Sequence, residues 1–333
     1  MISIDEDRIF QVIAERHPRS VALNGPEALI PKLQLAAEHI TQRTGIPAYI
    51  IGDTCWGSCD LNTHAADMLG AEILFNIGHT IRMENFGSKV VMINAYDDVS
   101  FASIADKCAE GLSGSYRTVS LLTDSQHLLQ LQEVKRIFES RGFTVILGTG
   151  KGQLLDGQVF GCEFYPAHSR VKEVDAFVFL GQSMFHAASV AMSTEKPTFM
   201  LDPYFEEYTQ VNEFAAKLQK RAILSVYKAM DVENFGLIIG LKEGQFSQLT
   251  AMELKKEFEK EGKKVQLIAL TEITDERLQN FRGIDAFVQV ACPRIATDNH
   301  FSKVMLSVPQ AEALLRLWRK QPIDGFLKLK HWL

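Results

Sequence analysis

Cysteine is scarce and scattered in this sequence. Five residues, at positions 55, 59, 108, 162 and 292, are an odd number and too few to staple a chain of 333 residues, which excludes a disulfide framework. Metal binding, catalysis or plain burial must account for them. Charge of one sign is also lacking. Lys plus Arg total 35 against 41 for Asp plus Glu, a net charge of -6, so no chain-wide basic field exists to hold a polyphosphate backbone and no nucleic-acid partner is expected. No run approaches the roughly 18 uninterrupted apolar residues of a membrane span. The opening MISIDEDRIF carries acids where a secretory leader carries a basic region, so a cytoplasmic protein without membrane association is expected. Hydrophobic residues at 46% and charged residues at 23% lie near globular averages, which excludes disorder, collagen and coiled coil.

What the sequence does contain is a regular alternation. Short runs rich in Val, Ile, Phe and Leu alternate with helical patterns of ten to eighteen residues, the mark of βαβ units and parallel sheets. The runs are 21–24, 48–52, 72–78 and 90–96, then 118–124, 144–148, 175–181 and 198–202, then 236–241, 264–270, 285–291 and 304–308. Each set of four follows one plan of strand, long amphipathic helix, Gly, strand, irregular stretch, strand, short helix and strand. Val174-Asp175-Ala176-Phe177-Val178 recurs 110 residues on as Ile284-Asp285-Ala286-Phe287-Val288, and a third of the chain is 111 residues. The spacing predicts triplication of one α/β unit. The predicted domains are 1–112, 113–215 and 216–333. The first boundary falls at the turn-rich GLSGSY, the second in a stretch that includes the long helical pattern VNEFAAKLQKRAILSVYKAM.

Ligands of parallel sheets bind beyond the carboxyl ends of the strands, and three cysteines meet that criterion, one per repeat. Cys59 closes Gly52-Asp53-Thr54-Cys55-Trp56-Gly57-Ser58-Cys59 after the second strand of the first unit. Cys162 ends Gln158-Val159-Phe160-Gly161-Cys162 after the second strand of the second, and Cys292 follows the third strand of the third. In the repeat alignment His79, Gln182 and Cys292 occupy the same strand end. Three equivalent domains around a common centre would turn three thiols inward. Three thiolates at one centre suit a 4Fe-4S cluster with one iron open to a substrate. Zinc is the competing metal: structural zinc takes four ligands at short paired spacings, which a lone C-x3-C matches poorly, although His79 would complete a Cys3His set. Plain burial is the competing reading for each cysteine taken singly. Cys55 makes C-x3-C with Cys59, so both could ligate one metal or one could be a spare, and it has no counterpart in the other repeats; Cys108 lies in the helical pattern SIADKCAEGL as a core residue.

These residues carry a resemblance. GDTCWGSCD followed by NIGHT, GQVFGC, LDPY at 201–204, Lys242-Glu243-Gly244-Gln245 and ACPRIATD together resemble the archaeal 2-(3-amino-3-carboxypropyl)histidine synthases of diphthamide biosynthesis, nearly end to end. The resemblance implies three parallel-sheet α/β domains around a central iron-sulfur site, with Cys59, Cys162 and Cys292 as ligands of a 4Fe-4S cluster and S-adenosylmethionine docked on its open iron. It also implies transfer of a 3-amino-3-carboxypropyl radical to C2 of a histidine in translation elongation factor 2, a homodimer, and an electron donor. The C-x3-C-x2-C loop of ordinary radical S-adenosylmethionine enzymes is absent, because no cysteine stands at position 62.

For the cofactor, Arg294 is a candidate partner of its carboxylate, against an ion pair with Asp298. His79 and Gln182 are candidates for polar contact with cofactor or imidazole, against ordinary strand termini. Gln245 opens a helix after the first strand of the third unit, a weak anion-binding turn. The Asp202 to Tyr208 segment reads as an acidic, aromatic loop, and the stretch 326–333 as a packing tail. Two other functions stay open on the residues alone: a quinolinate synthase-like enzyme with three cysteines on one cluster, and a subunit that holds a cluster without catalysis.

Overall fold

The structure is a computed structural model and describes residues 2–81, 89–152, 154–298 and 301–323, without the side chain of Asp298. The stretch 326–333 read as a packing tail lies outside the described residues. The strands are β1 (Ile2–Ile4), β2 (Val21–Asn24), β3 (Ala48–Ile50), β4 (Ile73–Ile77), β5 (Val90–Ile93), β6 (Ala95–Asp97), β7 (Thr118–Thr123), β8 (Thr144–Leu147), β9 (Ala176–Leu180), β10 (Thr198–Asp202), β11 (Glu207–Gln210), β12 (Asn234–Gly240), β13 (Lys264–Leu270), β14 (Ala286–Gln289) and β15 (Val304–Leu306). The chain forms two compact units that divide between Val211 and Asn212. The first holds a sheet in the order β3-β2-β4-β5 and a sheet in the order β11-β10-β9-β7-β8. The second holds β13-β12-β14-β15.

The three larger sheets are parallel except where β11 runs antiparallel along β10. Because crossovers cover both faces, the central strands read as unbroken apolar runs. Every residue of β4, β9 and β14 is buried. Register makes the sheets comparable residue by residue: Val21 pairs with Ile73, Val119 with Ala176 and Phe235 with Ala286. Each sheet also takes into its core the helix that precedes it. Helix Glu6–Arg16 buries Ile9, Val12 and Ile13 on the first sheet. Helix Ala102–Leu112 buries Ile104, Cys108 and Leu112 against Val119, Val178 and Leu201 of the second. Helix Asn212–Lys228 buries Val226 on the third, with Phe235 and Val288.

Local departures from the sequence reading have local causes. The run at 90–96 breaks at Asn94, whose carbonyl accepts from the Asp5 backbone N–H at 3.0 Å; β6 then pairs antiparallel with β1. The acidic segment after β10 is a turn followed by a strand, since Glu207 and Tyr208 enter β11. Gln245 does not open the helix after β12. It ends a 3-10 turn over Glu243–Gln245, the backbone extends at Phe246, and the helix begins at Gln248.

Close packing fixes the loop after β8. A Cβ added at Gly148 would collide with the main-chain carbonyl of Pro166, an atom that cannot yield as a side-chain tip does. Gly148→Ala is expected to lower the unfolding free energy by about 1 to 3 kcal/mol, read as an earlier midpoint in urea.

Candidate functional site

The carboxyl ends of the strands place five cysteines in two different environments. Cys55 is 3% exposed, beneath a loop held by two asparagines that stand where apolar strand residues would be expected. Asn24, at the end of β2, directs its amide nitrogen to Asn76 Oδ1 at 2.7 Å and to the Asp60 carbonyl at 3.2 Å, and lies 3.4 Å from Cys55 Sγ. The Cys55 thiol donates to the Asp60 carbonyl at 3.3 Å. Burial, and then the charge of Asp60, push this thiol up to about 12, so it is a neutral donor that ties the loop. Cys108 is fully buried among apolar side chains and burial pushes it likewise to about 12. Cys59, Cys162 and Cys292 are only half-buried.

Each of these three thiols has its own support. Asp60 N–H donates to the Gly57 carbonyl at 3.0 Å, closing the turn that carries Cys59. Phe160 and Glu163 exchange backbone hydrogen bonds of 2.9 and 3.4 Å across Gly161-Cys162. The ring of Phe185 covers Gly161 so closely that any Cβ there would overlap it. The Gln158 amide, four residues before Cys162, donates to the Thr80 carbonyl at 2.8 Å. The end of β4 therefore anchors both loops, that of Cys59 through Asn76 and that of Cys162 through Thr80. In the second unit, Gln289 donates to the Cys292 carbonyl at 2.8 Å and accepts from Ala291 N–H at 2.7 Å. This fixes the turn into helix Pro293–Asp298.

The other candidates divide. His79 lies at the end of β4 with its Nδ1 buried and without a hydrogen-bond partner. Burial above all, aided by His186 and opposed by Asp124, lowers this imidazole to about 4, so it is neutral at neutral pH. Gln182 donates to both carboxylate oxygens of Asp202 at 3.1 Å. Asp202 also accepts from Tyr204 and Phe205 N–H, which makes Gln182 part of a turn-fixing set at the strand end. Arg294 is exposed on its helix, and its proposed partner Asp298 has no described side chain. Among the described residues no three His, Cys, Asp or Glu side chains are arranged to hold a metal ion. Cys59 and Cys162 belong to the first unit and Cys292 to the second.

Sequence reasoning missed Asn24, Asn76, Asp60 and Lys242. The signal for the first two was legible as a lone amide inside VALN and EILFNIG. A buried amide needs several partners, and a nearby loop is the natural supplier. Lys242, 5% exposed and paired with Glu272 at 2.7 Å, stands in the quoted motif Lys242-Glu243-Gly244-Gln245, but nothing local marks it as buried.

The fold is thus three repeated parallel α/β sheets, each with one half-buried thiol in a loop beyond its carboxyl edge. The model of the diphthamide synthesis protein family matches residues 25–323, and the chain belongs to that family. It is 26% identical to the 2-(3-amino-3-carboxypropyl)histidine synthase of Pyrococcus horikoshii, with 97% of this chain and 94% of that protein covered. It is 27% identical to the subunit 1 enzyme of that name from Caenorhabditis elegans, over 88% of this chain and 75% of the relative. The crystal structure of Dph2 from Pyrococcus horikoshii with a 4Fe-4S cluster superimposes with a TM-score of 0.88 at 26% identity, covering 98% of this chain and 95% of that one. The family match favours the diphthamide reading over the quinolinate synthase-like one.

Two measurements test this site. Cys55→Ala is expected to cost about 1 to 2 kcal/mol of stability through the lost hydrogen bonds and buried volume, while iodoacetamide still labels Cys59, Cys162 and Cys292 of iron-free protein far faster than Cys108. Equal labelling of Cys108 would contradict the burial argument. His79 sets a pH dependence. Its folded value of about 4 lies below the ordinary 6.5, so the unfolded chain binds the proton more readily. Its contribution to stability is complete above pH 6.5 and is lost as pH falls towards 4, up to about 3 kcal/mol. His79→Asn should flatten the urea midpoint across that window.

Proposed function

We propose that this chain carries out the first step of diphthamide synthesis as a 2-(3-amino-3-carboxypropyl)histidine synthase. The group transferred is the 3-amino-3-carboxypropyl group of S-adenosylmethionine, and the acceptor is C2 of a histidine imidazole in translation elongation factor 2. The observation that carries this reading is the division of the thiols: Cys59, Cys162 and Cys292, one for each sheet, are half-buried in strand-end loops, whereas Cys55 and Cys108 are sealed as neutral thiols. That donor set fits a 4Fe-4S cluster, since three thiolates leave one iron without a protein ligand. It fits zinc less well, because a structural site wants four protein ligands at short paired spacings, and a lone C-x3-C matches that poorly.

When bound, such a cluster supplies an open iron for the amino-acid end of the cofactor and a low-potential electron to its sulfonium, so that the transferred group leaves as a carbon-centred radical. The chain's own residues do the rest. The domains 1–112, 113–215 and 216–333 each contribute one thiol. Arg294 extends a guanidinium for the cofactor carboxylate. Gln182, held by Asp202, and Gln245 offer amides to cofactor or substrate. His79 offers an uncharged imidazole that does not repel the sulfonium. The enzyme works as a homodimer in the cytoplasm, supplied by a separate electron donor. No described helix is long and apolar enough to cross a membrane.

Purified without oxygen, the protein should be brown and carry about four irons per chain. Cys59→Ala, Cys162→Ala and Cys292→Ala should each lose or degrade the cluster, and Cys55→Ala should keep it; a colourless zinc protein would sink the assignment. With a strong reductant and S-adenosylmethionine, methylthioadenosine should be released, and one histidine of elongation factor 2 should gain the 3-amino-3-carboxypropyl mass. 5'-Deoxyadenosine as the main product would reject the mechanism. Arg294→Ala should weaken cofactor binding by about 1.5 to 3 kcal/mol with iron content unchanged.

A further inference from the structure

The connection that follows β12 is apolar where its equivalents are polar. Aligned by their strand pairings, Glu27, Ser125 and Leu241 stand at the same place in the three sheets. Glu27 accepts from the Thr54 hydroxyl at 3.2 Å and Ser125 donates to the Gly78 carbonyl at 2.9 Å, so two sheets close this turn with polar contacts. The third presents Leu241, 48% exposed, and further along the same connection and first helical turn Phe246 at 55% and Leu249 at 81%. The helix Gln248–Lys260 packs on its sheet through Ala251, Leu254 and Phe258, so these three side chains are spare to that packing. Large apolar groups gathered in water on one short segment mark a surface that another molecule covers.

This segment borders the turn of Cys292. Val290 N–H donates to the Ile238 carbonyl at 3.0 Å, which keeps β12 and β14 side by side to their ends. A Cβ built on Gly240 would lie 2.7 Å from the Ala291 Cβ and 3.5 Å from the Gln245 Cβ, so the residue before Cys292 and the residue before Phe246 flank the same glycine. Gln245 N–H closes the turn on the Lys242 carbonyl at 2.9 Å, and Leu241 N–H donates to the Leu270 carbonyl at 3.0 Å. Leu241 and Phe246 are therefore held on a fixed backbone at the carboxyl edge that carries Cys292, with Leu249 in the first turn of the helix that follows.

That position selects the occupant. S-adenosylmethionine carries charge at its sulfonium, amine and carboxylate and has one flat ring system, which is too little apolar surface to cover three large hydrocarbon side chains. A second copy seated here would close the edge that carries Cys292. A protein acceptor, by contrast, must bring its imidazole to that edge and rest its own surface against the rim. Between Leu241 and Leu254 the exposed charged side chains are Glu243 and Glu253, which favours basic residues on the partner. We propose that Leu241, Phe246 and Leu249 form the docking surface for the histidine-bearing loop of the acceptor protein, received as an apolar contact with basic residues around it. This rests on the assignment of Cys292 to the reaction centre and of a protein histidine as the acceptor.

The test is direct binding of unmodified elongation factor 2 to the anaerobically purified, cluster-loaded full-length protein. Leu249→Ser should weaken that binding, and Phe246→Ser combined with Leu249→Ser should weaken it by about tenfold or more, while iron content and affinity for S-adenosylmethionine stay at wild-type levels. Binding to the wild-type protein should weaken as salt rises. Wild-type affinity in the double variant overturns the proposal, as does binding that salt leaves unchanged. A double variant that falls from dimer to monomer on gel filtration also overturns it, since the patch would then belong to a second copy. If the double variant does not fold, Leu249→Ser alone decides, because a side chain so exposed supports no core. Wild-type protein that neither takes up a cluster nor modifies elongation factor 2 would instead refute the functional reading on which the proposal rests.

Discussion

Parallel pairing is the constraint on which the rest of this molecule depends. Two parallel strands cannot be joined by a tight turn, so each must be followed by a crossover that returns over a face of the sheet. That requirement sends every carboxyl end, and every loop after it, to one edge of its sheet. It also buries both faces of the central strands β4, β9 and β14, which leaves those edges as the places where polar side chains gather. Cys59, Cys162 and Cys292 lie half-buried in such edge loops.

The loops at these edges are fixed by buried amides. Asn24 and Asn76 replace apolar residues at the ends of β2 and β4. Two such groups without partners would destabilise the sheet, and they are satisfied by each other, by the Asp60 carbonyl and by the Asn62 amide. The Cys55 thiol joins the same set. One network thus holds the Cys59 turn and gives Cys55 a structural role that needs no metal. The Cys162 loop uses a related device, with Gln158 as the buried amide and Thr80 as its acceptor. In the second unit Gln289, 1% exposed, plays that part for Cys292. Three repeats reach the same outcome with a buried amide placed differently in each.

Each repeat also diverges where its turns meet the site. At the end of the third strand the three sheets present His79, Gln182 and Cys292: an imidazole whose Nδ1 is buried, an amide held by Asp202, and a half-buried thiol. In the turn after the first strand they present Ala28, Gln126 and Lys242. The triplicated frame therefore carries a different side chain at each equivalent strand end.

The sequence by itself determined the α/β class, the triplicate plan, the positions of the twelve parallel strands and the division of the cysteines into one per repeat plus two others. These follow from periodicity and spacing, which depend only on near neighbours in the chain. It also carried the motifs that mark the diphthamide synthesis family. Only the tertiary structure decided that Cys55 is a sealed donor, that Gln182 is held by Asp202, that the helix after β12 begins at Gln248, and that helix Ala102–Leu112 packs on the sheet that follows it. Those facts depend on burial and on partners distant in sequence: Asn24 and Asn76 are 52 positions apart, and Lys242 is buried beside residues that no local pattern connects to it. A thiol's pKa or an ammonium's accessibility is set by what surrounds it, and those surroundings exist only once the strands have paired.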